Sequence, residues 1–315
     1  MGSIVAIIVD GWAPEEWADA LNRQAPDLEV RIWPDIDDPG AVDFALVWKP
    51  PAGVLTDLPN LKAIFSLGAG VDHVLGGADN PGVPLARIVD PDLTHRMSEY
   101  IVLHCLIILR KQRLFDVQQR EASWHAHAMP LAAEVRVGIL GYGTLGQDAA
   151  TKLATIGFDV AGWSRTAKPQ APHPVFHGAA MLKPFLARTD ILVSLLPLTP
   201  DTRGFLNAGI FDCLAREGAL GEPALINVGR GASQNEADML SALDSGVLGH
   251  AVLDVFETEP LPPENPLWHH PKVTLTPHVA ADSTPEGLTR LIVSQIRRAE
   301  RGEPLLHLVD RKRGY

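Results

Sequence analysis

The sequence predicts an α/β protein built from two doubly wound parallel sheets, one in each of two domains. Three observations carry the prediction. Short apolar runs alternate with helix-like stretches, the alternation comes in two series, and the second series opens on the glycine loop Gly141-Tyr142-Gly143-Thr144-Leu145-Gly146. Such alternation marks parallel strands covered by helices on both faces. At 315 residues the chain also exceeds the size at which one hydrophobic core usually keeps growing, so two domains are the first expectation.

In the first series, Ile4 to Val9 reads as a strand, Pro14 to Arg23 as a helix, and Val30 to Trp33, Phe44 to Trp48 and Leu61 to Ser66 as further strands. The last of these ends in Gly68-Ala69-Gly70-Val71-Asp72, a turn at the carboxyl end of a strand, where open α/β sheets bind ligands. From Ser98 to about Gln119 there is neither proline nor glycine, and the first turns are apolar nearly all round. This predicts one long buried helix, expected to meet a second copy of the chain in a homodimer, with an inter-domain core helix as the alternative.

The second series comprises Val135 to Leu140, Asp159 to Trp163, Ile191 to Leu195, Ala224 to Val228, His250 to Val255 and Val273 to Thr276, with helical spacers between them. The tail from Pro285 to Gly302 reads as a helix with Leu288, Leu291, Ile292 and Ile296 on one face, and no strand follows it. It is expected to return to the first domain. The expected division is therefore residues 1–98 with 284–315 for one domain and 99–283 for the other.

Composition narrows the function classes. Hydrophobic residues at 46% and charged residues at 21% are ordinary for a folded enzyme and exclude a disordered or fibrous chain. A net charge of -11 argues against a nucleic-acid binder, which needs a basic face to displace counterions. Cys105 and Cys213 lack metal-ligand or redox spacing, so no metal site is expected, and two reduced thiols suit the cytoplasm. Met1 to Asp10 has no basic leader or cleavage site, and the apolar run Ile101 to Leu109 is about half a membrane span. No membrane association is expected.

A lone G-x-G-x-x-G is weak evidence, but this one follows the strand Val135 to Leu140 and opens a helix-like stretch, Gln147 to Ile156. Gly141 permits the tight turn, Gly143 lets a pyrophosphate approach the backbone, and Gly146 allows helix to pack on strand, while Thr144 and Leu145 lie at a helix N-terminus suited to phosphate. An acid for the ribose 2′-hydroxyl of NAD is expected roughly twenty residues on. Ser164-Arg165-Thr166 stands there instead, with Lys168 close by. Charge and donors at that place favour a 2′-phosphate, so NADP(H) is the expected cofactor and NAD(H) a weaker one. A solvated arginine at a strand end is the plain alternative.

Three later strand ends carry polar groups: Asn227-Val228-Gly229-Arg230-Gly231, then Leu253-Asp254-Val255-Phe256 followed by Glu259-Pro260, and Thr276-Pro277-His278. Singly, each has a plain structural explanation, as a surface charge, a loop acid or a turn histidine. Together, at successive strand ends of a dinucleotide domain, they match what reduction of a 2-keto acid needs: a clamp for the carboxylate, a cation beside the keto oxygen, and a proton donor for the developing alkoxide.

With Trp48-Lys49-Pro50-Pro51, Leu67-Gly68-Ala69-Gly70-Val71-Asp72, Ser98-Glu99-Tyr100, Trp163-Ser164-Arg165, Glu259-Pro260-Leu261-Pro262 and the terminal Val309 to Tyr315, the sequence resembles the D-isomer-specific 2-hydroxyacid dehydrogenase family nearly end to end, in its glyoxylate/hydroxypyruvate reductase A branch. The resemblance implies two Rossmann-like domains, a flavodoxin-like one for substrate and one for the dinucleotide. It implies that Arg230 holds the substrate carboxylate and keto oxygen, that His278 is the general acid with Glu259 as its partner, and that Asp254 lies near the nicotinamide amide. A carboxylate beside an imidazole favours the protonated ring, which suits that role.

The resemblance further implies substrate contacts from Trp48 and from the backbone amides of Ala69 and Gly70; the strand-end residues Leu196, Pro197, Val228 and Gly229 complete the candidate cofactor set. Lys49 departs from the histidine of the branch's bacterial members and is expected to favour substrates with an extra oxygen or acid group. Two other readings stand beside this one: a non-catalytic dinucleotide-sensing, corepressor-like module, and an NAD-dependent relative acting on phosphoglycerate, which Ser164-Arg165 disfavours.

Overall fold

The computed structural model describes residues 2–75 and 81–314, so Met1 and Tyr315 of the segments named above lie outside the described residues. The chain separates into two compact units, Met1–Leu93 with Asp282–Tyr315, and Thr94–Ala281. The crossings fall a few residues before the expected ones near Ser98 and Ser283.

The first unit holds a parallel sheet of β1 (Ile4–Val9), β2 (Glu29–Ile32), β3 (Phe44–Trp48), β4 (Ala63–Ser66) and β5 (Leu85–Arg87), in the order β2-β1-β3-β4-β5. This is the flavodoxin-like order. Central strands buried on both faces need unbroken apolar runs, which Ile4–Val9 and Phe44–Trp48 supply, paired in the register Val5 to Phe44 and Ile7 to Leu46. Helix α1 (Pro14–Gln24) begins with proline and two acids, Glu15 and Glu16, where the helix dipole favours negative charge, and ends on Arg23. A short helix, α2 (Asp72–Leu75), follows β4. The strand β5 escaped the sequence reading because its three residues, Leu-Ala-Arg, carry no periodicity.

Helix α3 (Pro91–Leu109) starts at the first crossing and continues into the second unit, followed by α4 (Gln112–Arg120). The single helix expected from Ser98 to Gln119 is thus two, broken at Lys111, which adopts left-handed backbone angles (φ 52°). It is not buried all round either. Met97, Ile101, Cys105 and Leu109, spaced four apart, face the core of the second unit, whereas Leu103 is exposed.

The second unit's sheet contains β6 (Arg136–Leu140), β7 (Asp159–Ser164), β8 (Val175–His177), β9 (Ile191–Ser194), β10 (Ala224–Asn227), β11 (His250–Leu253) and β12 (Val273–Leu275), all parallel, ordered β12-β11-β10-β9-β6-β7-β8. Counted within the unit, this is the 3-2-1-4-5-6 order of dinucleotide-binding sheets with one strand added at the far edge. Strand order reverses between β6 and β9, which creates a crevice at their carboxyl ends. The edge strand β8 was not expected from the sequence, again because it is short.

Alternate residues of the strands serve two cores. Val137, Ile139, Val193 and Ile226 pack with α3 and with Ala149 and Leu153 of α5 (Thr144–Ile156). Leu140, Leu192, Leu225 and Leu253 pack with Phe185 of α6 (Leu182–Ala187), Phe211 of α7 (Ala208–Phe211) and Leu243 of α8 (Glu236–Asp244). The last helix, α9 (Pro285–Glu300), is capped by Thr284, whose hydroxyl accepts from the Gly287 amide, and buries Leu288, Ile292 and Ile296 among Val5, Ile7, Trp17 and Leu21 of the first unit.

Candidate active site

In the second unit the glycine loop joins β6 to α5 at the strand-order reversal. Gly141 has φ 103°, and a Cβ there would meet the Leu195 carbonyl at 2.9 Å. Gly229 does the same on the other side, where a Cβ would meet the Leu196 carbonyl at 2.7 Å. The segment Leu195-Leu196 after β9 is thus gripped between the turns after β6 and β10, and Val228 extends the register by donating to Ser194 at 3.1 Å. Gly146 lies against Gly141, a Cβ meeting its carbonyl at 2.5 Å, so α5 approaches β6 as closely as backbones allow. Gly143 differs: a Cβ there would meet nothing within 4 Å. That open cradle at the N-terminus of α5, with Thr144 and Leu145 in its first turn, fits a dinucleotide pyrophosphate.

At the end of β7, Arg165, Thr166 and Lys168 are exposed. Ser164 is buried and its hydroxyl donates to the Thr166 carbonyl at 2.6 Å, so its donor is turned into the loop. Of the expected 2′-phosphate group, Arg165, Thr166 and Lys168 keep an outward aspect and Ser164 does not. Leu196 is buried, and Pro197 accepts from the Thr202 hydroxyl at 2.6 Å, which fixes the turn after β9.

Arg230, Glu259 and His278 follow β10, β11 and β12, three adjacent strands. Gly231 joins the first two of these ends, because its backbone is packed on that of Phe256. Glu259 joins the last two: one carboxylate oxygen accepts from the Phe256 amide at 3.0 Å and the other meets His278 Nδ1 at 2.8 Å. An ionised carboxylate only accepts, so Nδ1 carries the hydrogen and Nε2 is left as the nitrogen that exchanges a proton. His278 itself adopts φ 56°, a left-handed conformation that costs a non-glycine residue about 1 kcal/mol or more and persists only where the surroundings impose it.

The imposing group is Asp254, almost wholly buried. Its carbonyl accepts from the His278 amide at 2.9 Å, and its carboxylate accepts from the amides of Val279 at 2.9 Å and Ala280 at 3.0 Å and from the Thr276 hydroxyl at 2.6 Å. Asp254, which the resemblance places near the nicotinamide amide, thus ties its carboxylate to the turn that carries His278.

Sequence reasoning missed the polar residues that hold these loops. Gln234 is buried, donates to the Val255 carbonyl at 3.1 Å and accepts from Asn227 at 2.8 Å, while Asn227 also accepts from the Gly229 amide at 3.2 Å. An asparagine closing the apolar run Ala224–Asn227 was the available signal.

In the first unit, Trp48 ends β3 and lies flat on Trp12, ring centres 4.6 Å apart and planes within 6°, with Trp12 stacked in turn on Trp17 at 5.5 Å. His73 also packs against Trp48, ring centres 4.7 Å apart and planes tilted by 55°. Gly68 admits this ring, since a Cβ would fall 2.3 Å from it, and the Ser66 hydroxyl lies within bonding distance of the Gly68 and Gly70 carbonyls, 3.2 and 3.3 Å, shaping the Gly68-Ala69-Gly70 turn. Lys49 is exposed, with φ 47° and its ammonium 5.8 Å from the Trp48 ring centre.

Among the described residues, no cluster of histidine, cysteine and acidic side chains could hold a metal ion, and no helix is long and apolar enough to cross a membrane.

The profile for the NAD-binding domain of D-isomer specific 2-hydroxyacid dehydrogenases matches residues 102–280. Among solved structures, an NADPH-dependent glyoxylate/hydroxypyruvate reductase of Sinorhizobium meliloti, in complex with NADP and sulfate, is 48% identical over 99% of this chain and 100% of its own, with a TM-score of 0.94. A probable 2-hydroxyacid dehydrogenase of Rhizobium etli, in complex with NADP, HEPES and tartaric acid, is 47% identical over 100% and 99% of the two chains (TM-score 0.93). A D-isomer specific 2-hydroxyacid dehydrogenase of Xanthobacter autotrophicus, in complex with NADPH and MES, is 43% identical over the full length of both (TM-score 0.94).

Proposed function

This chain belongs to the D-isomer specific 2-hydroxyacid dehydrogenase family, and on that footing we propose that it reduces small 2-keto acids, glyoxylate and hydroxypyruvate among them, to D-2-hydroxy acids with NADPH. The observation that carries the reading is the His278 Nδ1 to Glu259 bond at 2.8 Å, on the strand ends next to the one that presents Arg230. A bound NADPH supplies the hydride. Arg230 holds the substrate carboxylate and stabilises negative charge growing on the keto oxygen. His278 gives that oxygen the proton on Nε2, and Glu259 stabilises the imidazolium that carries it.

The cofactor is held by the Gly141, Gly143 and Gly146 turn, with Thr144, Leu145, Leu196, Pro197, Val228 and Gly229 around it. Arg165, supported by Thr166 and Lys168, takes the 2′-phosphate, so NADPH is preferred to NADH. The first unit serves the substrate: the Ala69 and Gly70 amides bind its carboxylate, and the Trp48 ring, immobilised by Trp12 and His73, limits its side chain. We also assign the molecule to the cytoplasm, where Cys105 and Cys213 stay reduced. It acts as a homodimer joined through α3, α4 and the following segment, where Leu103, Leu114, Val117, Trp124, Met129 and Leu131 are exposed.

The test is NADPH oxidation with a panel of 2-keto acids, repeated with NADH and with His278→Ala. Turnover that falls about a hundredfold or more in the variant, at unchanged NADPH affinity, is expected. A wild-type protein that binds NADPH and turns over none of the acids would return the chain to the dinucleotide-sensing reading. Sedimentation of wild type and Trp124→Ala tests the dimer.

A further inference from the structure

Asp254 is reached from two sides. On one it holds the turn that carries His278; on the other it is tied to α3 through a chain of hydroxyls. The Thr276 hydroxyl donates to an Asp254 carboxylate oxygen at 2.6 Å, and the Tyr100 hydroxyl lies 2.6 Å from the same Thr276 oxygen. Threonine has one hydroxyl hydrogen, and it is spent on the carboxylate. The Tyr100 hydroxyl is therefore the donor of its bond, and the direction is fixed from Tyr100 to Thr276 to Asp254.

We propose that Tyr100 and Thr276 are positioning residues for His278: by saturating and orienting the Asp254 carboxylate, they fix the 276–280 turn in the left-handed form that aims the imidazole. Neither residue was among the candidate site residues, and the proposal rests on the reading of His278 as the general acid.

Several features fit this role. The Asp254 carboxylate accepts three bonds, from Thr276, Val279 and Ala280, and its own carbonyl takes the His278 amide, so both ends of one residue close on the turn. The oxygen that would lose the Thr276 donor is Oδ1, which keeps the Val279 amide but is left, nearly buried, with one of its two bonds unmade. The Tyr100 ring itself packs against His104, centres 4.3 Å apart with the planes tilted by 50°. Burial, reinforced by the Asp254 charge, pushes the Tyr100 phenol up to about 12, against the opposing effect of its bond to Thr276. It stays a neutral donor wherever the enzyme works.

Three variants separate positioning from bulk structure. Thr276→Val removes both bonds, Tyr100→Phe removes the outer one, and Thr276→Ser keeps the hydroxyl. In Thr276→Val, amide hydrogen exchange at Val279 and Ala280 is expected to speed up about tenfold or more, because these amides share the loosened carboxylate. In turnover, kcat is expected to fall about tenfold in Thr276→Val and less in Tyr100→Phe, with the NADPH dissociation constant unchanged and a displaced pH dependence of kcat. Thr276→Ser should restore both. Unaltered exchange at Val279 and Ala280 in both Thr276→Val and Tyr100→Phe overturns the proposal whether or not a keto acid is turned over. So does a wild-type kcat and pH profile in those variants when His278→Ala is inactive. An inactive wild type with accelerated exchange in Thr276→Val would remove the reductase reading while leaving the clamp on the turn.

Discussion

Gly231 is packed on Phe256 so closely that a Cβ at residue 231 would lie 1.9 Å from both the carbonyl carbon and the carbonyl oxygen of Phe256. These are main-chain atoms, so no side chain can rotate out of the way. Arg230 therefore inherits its place from the strand next door, and the Phe256 amide in turn holds Glu259. Gly231→Ala is expected to cost roughly 1–3 kcal/mol of stability and to lower kcat/KM for keto acids about tenfold or more. Urea unfolding and steady-state kinetics check both; wild-type values would mean that the contact is not needed.

Glu259 accepts from two donors, the Phe256 amide and His278 Nδ1. The two donors sit on different carboxylate oxygens, and in Glu259→Gln one of these becomes an NH2 that cannot accept, so in the same pose the variant loses one bond as well as the charge. A fall in kcat of between about tenfold and a hundredfold is expected, with little change in NADPH affinity. Full activity in this variant would show that the imidazole needs no carboxylate partner.

Arg165 is exposed at the end of β7, and no acid occupies the Ser164-Arg165-Thr166 turn. Arg165→Ala is expected to raise the KM for NADPH by about tenfold to a hundredfold and to leave NADH kinetics near wild type. Equal losses with both cofactors would take the 2′-phosphate away from this residue.

His250, on β11, is pushed down to about 4 by burial, with the charges of Arg113 and His104 acting in the same direction. Its Nε2 lies 3.0 Å from the Thr274 hydroxyl, whose oxygen also accepts from Arg113, so a guanidinium is held next to the ring. The unfolded ring binds its proton nearer 6.5, so as the pH falls the unfolded chain is protonated first. The stabilisation is complete above about 6.5, is lost as the pH drops toward 4, and amounts to something on the order of 3 kcal/mol. Denaturant melts of wild type and His250→Asn across this window should show a shallower acid loss in the variant; parallel curves would exclude the histidine.

Lys49 stands beside Trp48 with its ammonium 5.8 Å from the ring centre. Lys49→His should lower kcat/KM for keto acids carrying an added hydroxyl or carboxylate relative to glyoxylate. Unchanged ratios across the substrate panel would refute a role in specificity.

What could be read from the sequence were features whose signal is local. A glycine at 141, 143 or 146 declares itself beside an apolar strand and before a helix, and Arg230, Glu259 and His278 stand out because apolar runs stop just before them. The strands β5 and β8, three residues each, are too short to show a period. The break at Lys111 has no proline or glycine to announce it. Least legible were the long-range polar bonds: Tyr100 and Thr276 are 176 residues apart, and Gln234 and Val255 are 21 apart. Such pairs form because a buried hydroxyl or amide must find a partner, and which partner depends on a fold that spacing along the chain does not reveal.

The return of α9 to the first unit sets an order of events during synthesis. The core of Val5, Ile7, Trp17 and Leu21 is closed by Leu288, Ile292 and Ile296, which are made only after the whole Thr94–Ala281 unit. The Thr94–Ala281 unit is contiguous and can fold first, as nascent domains generally do. Until α9 emerges, the first unit lacks Leu288, Ile292 and Ile296 from its core, so its apolar residues around Val5 and Leu21 stay uncovered while the inserted unit is being made.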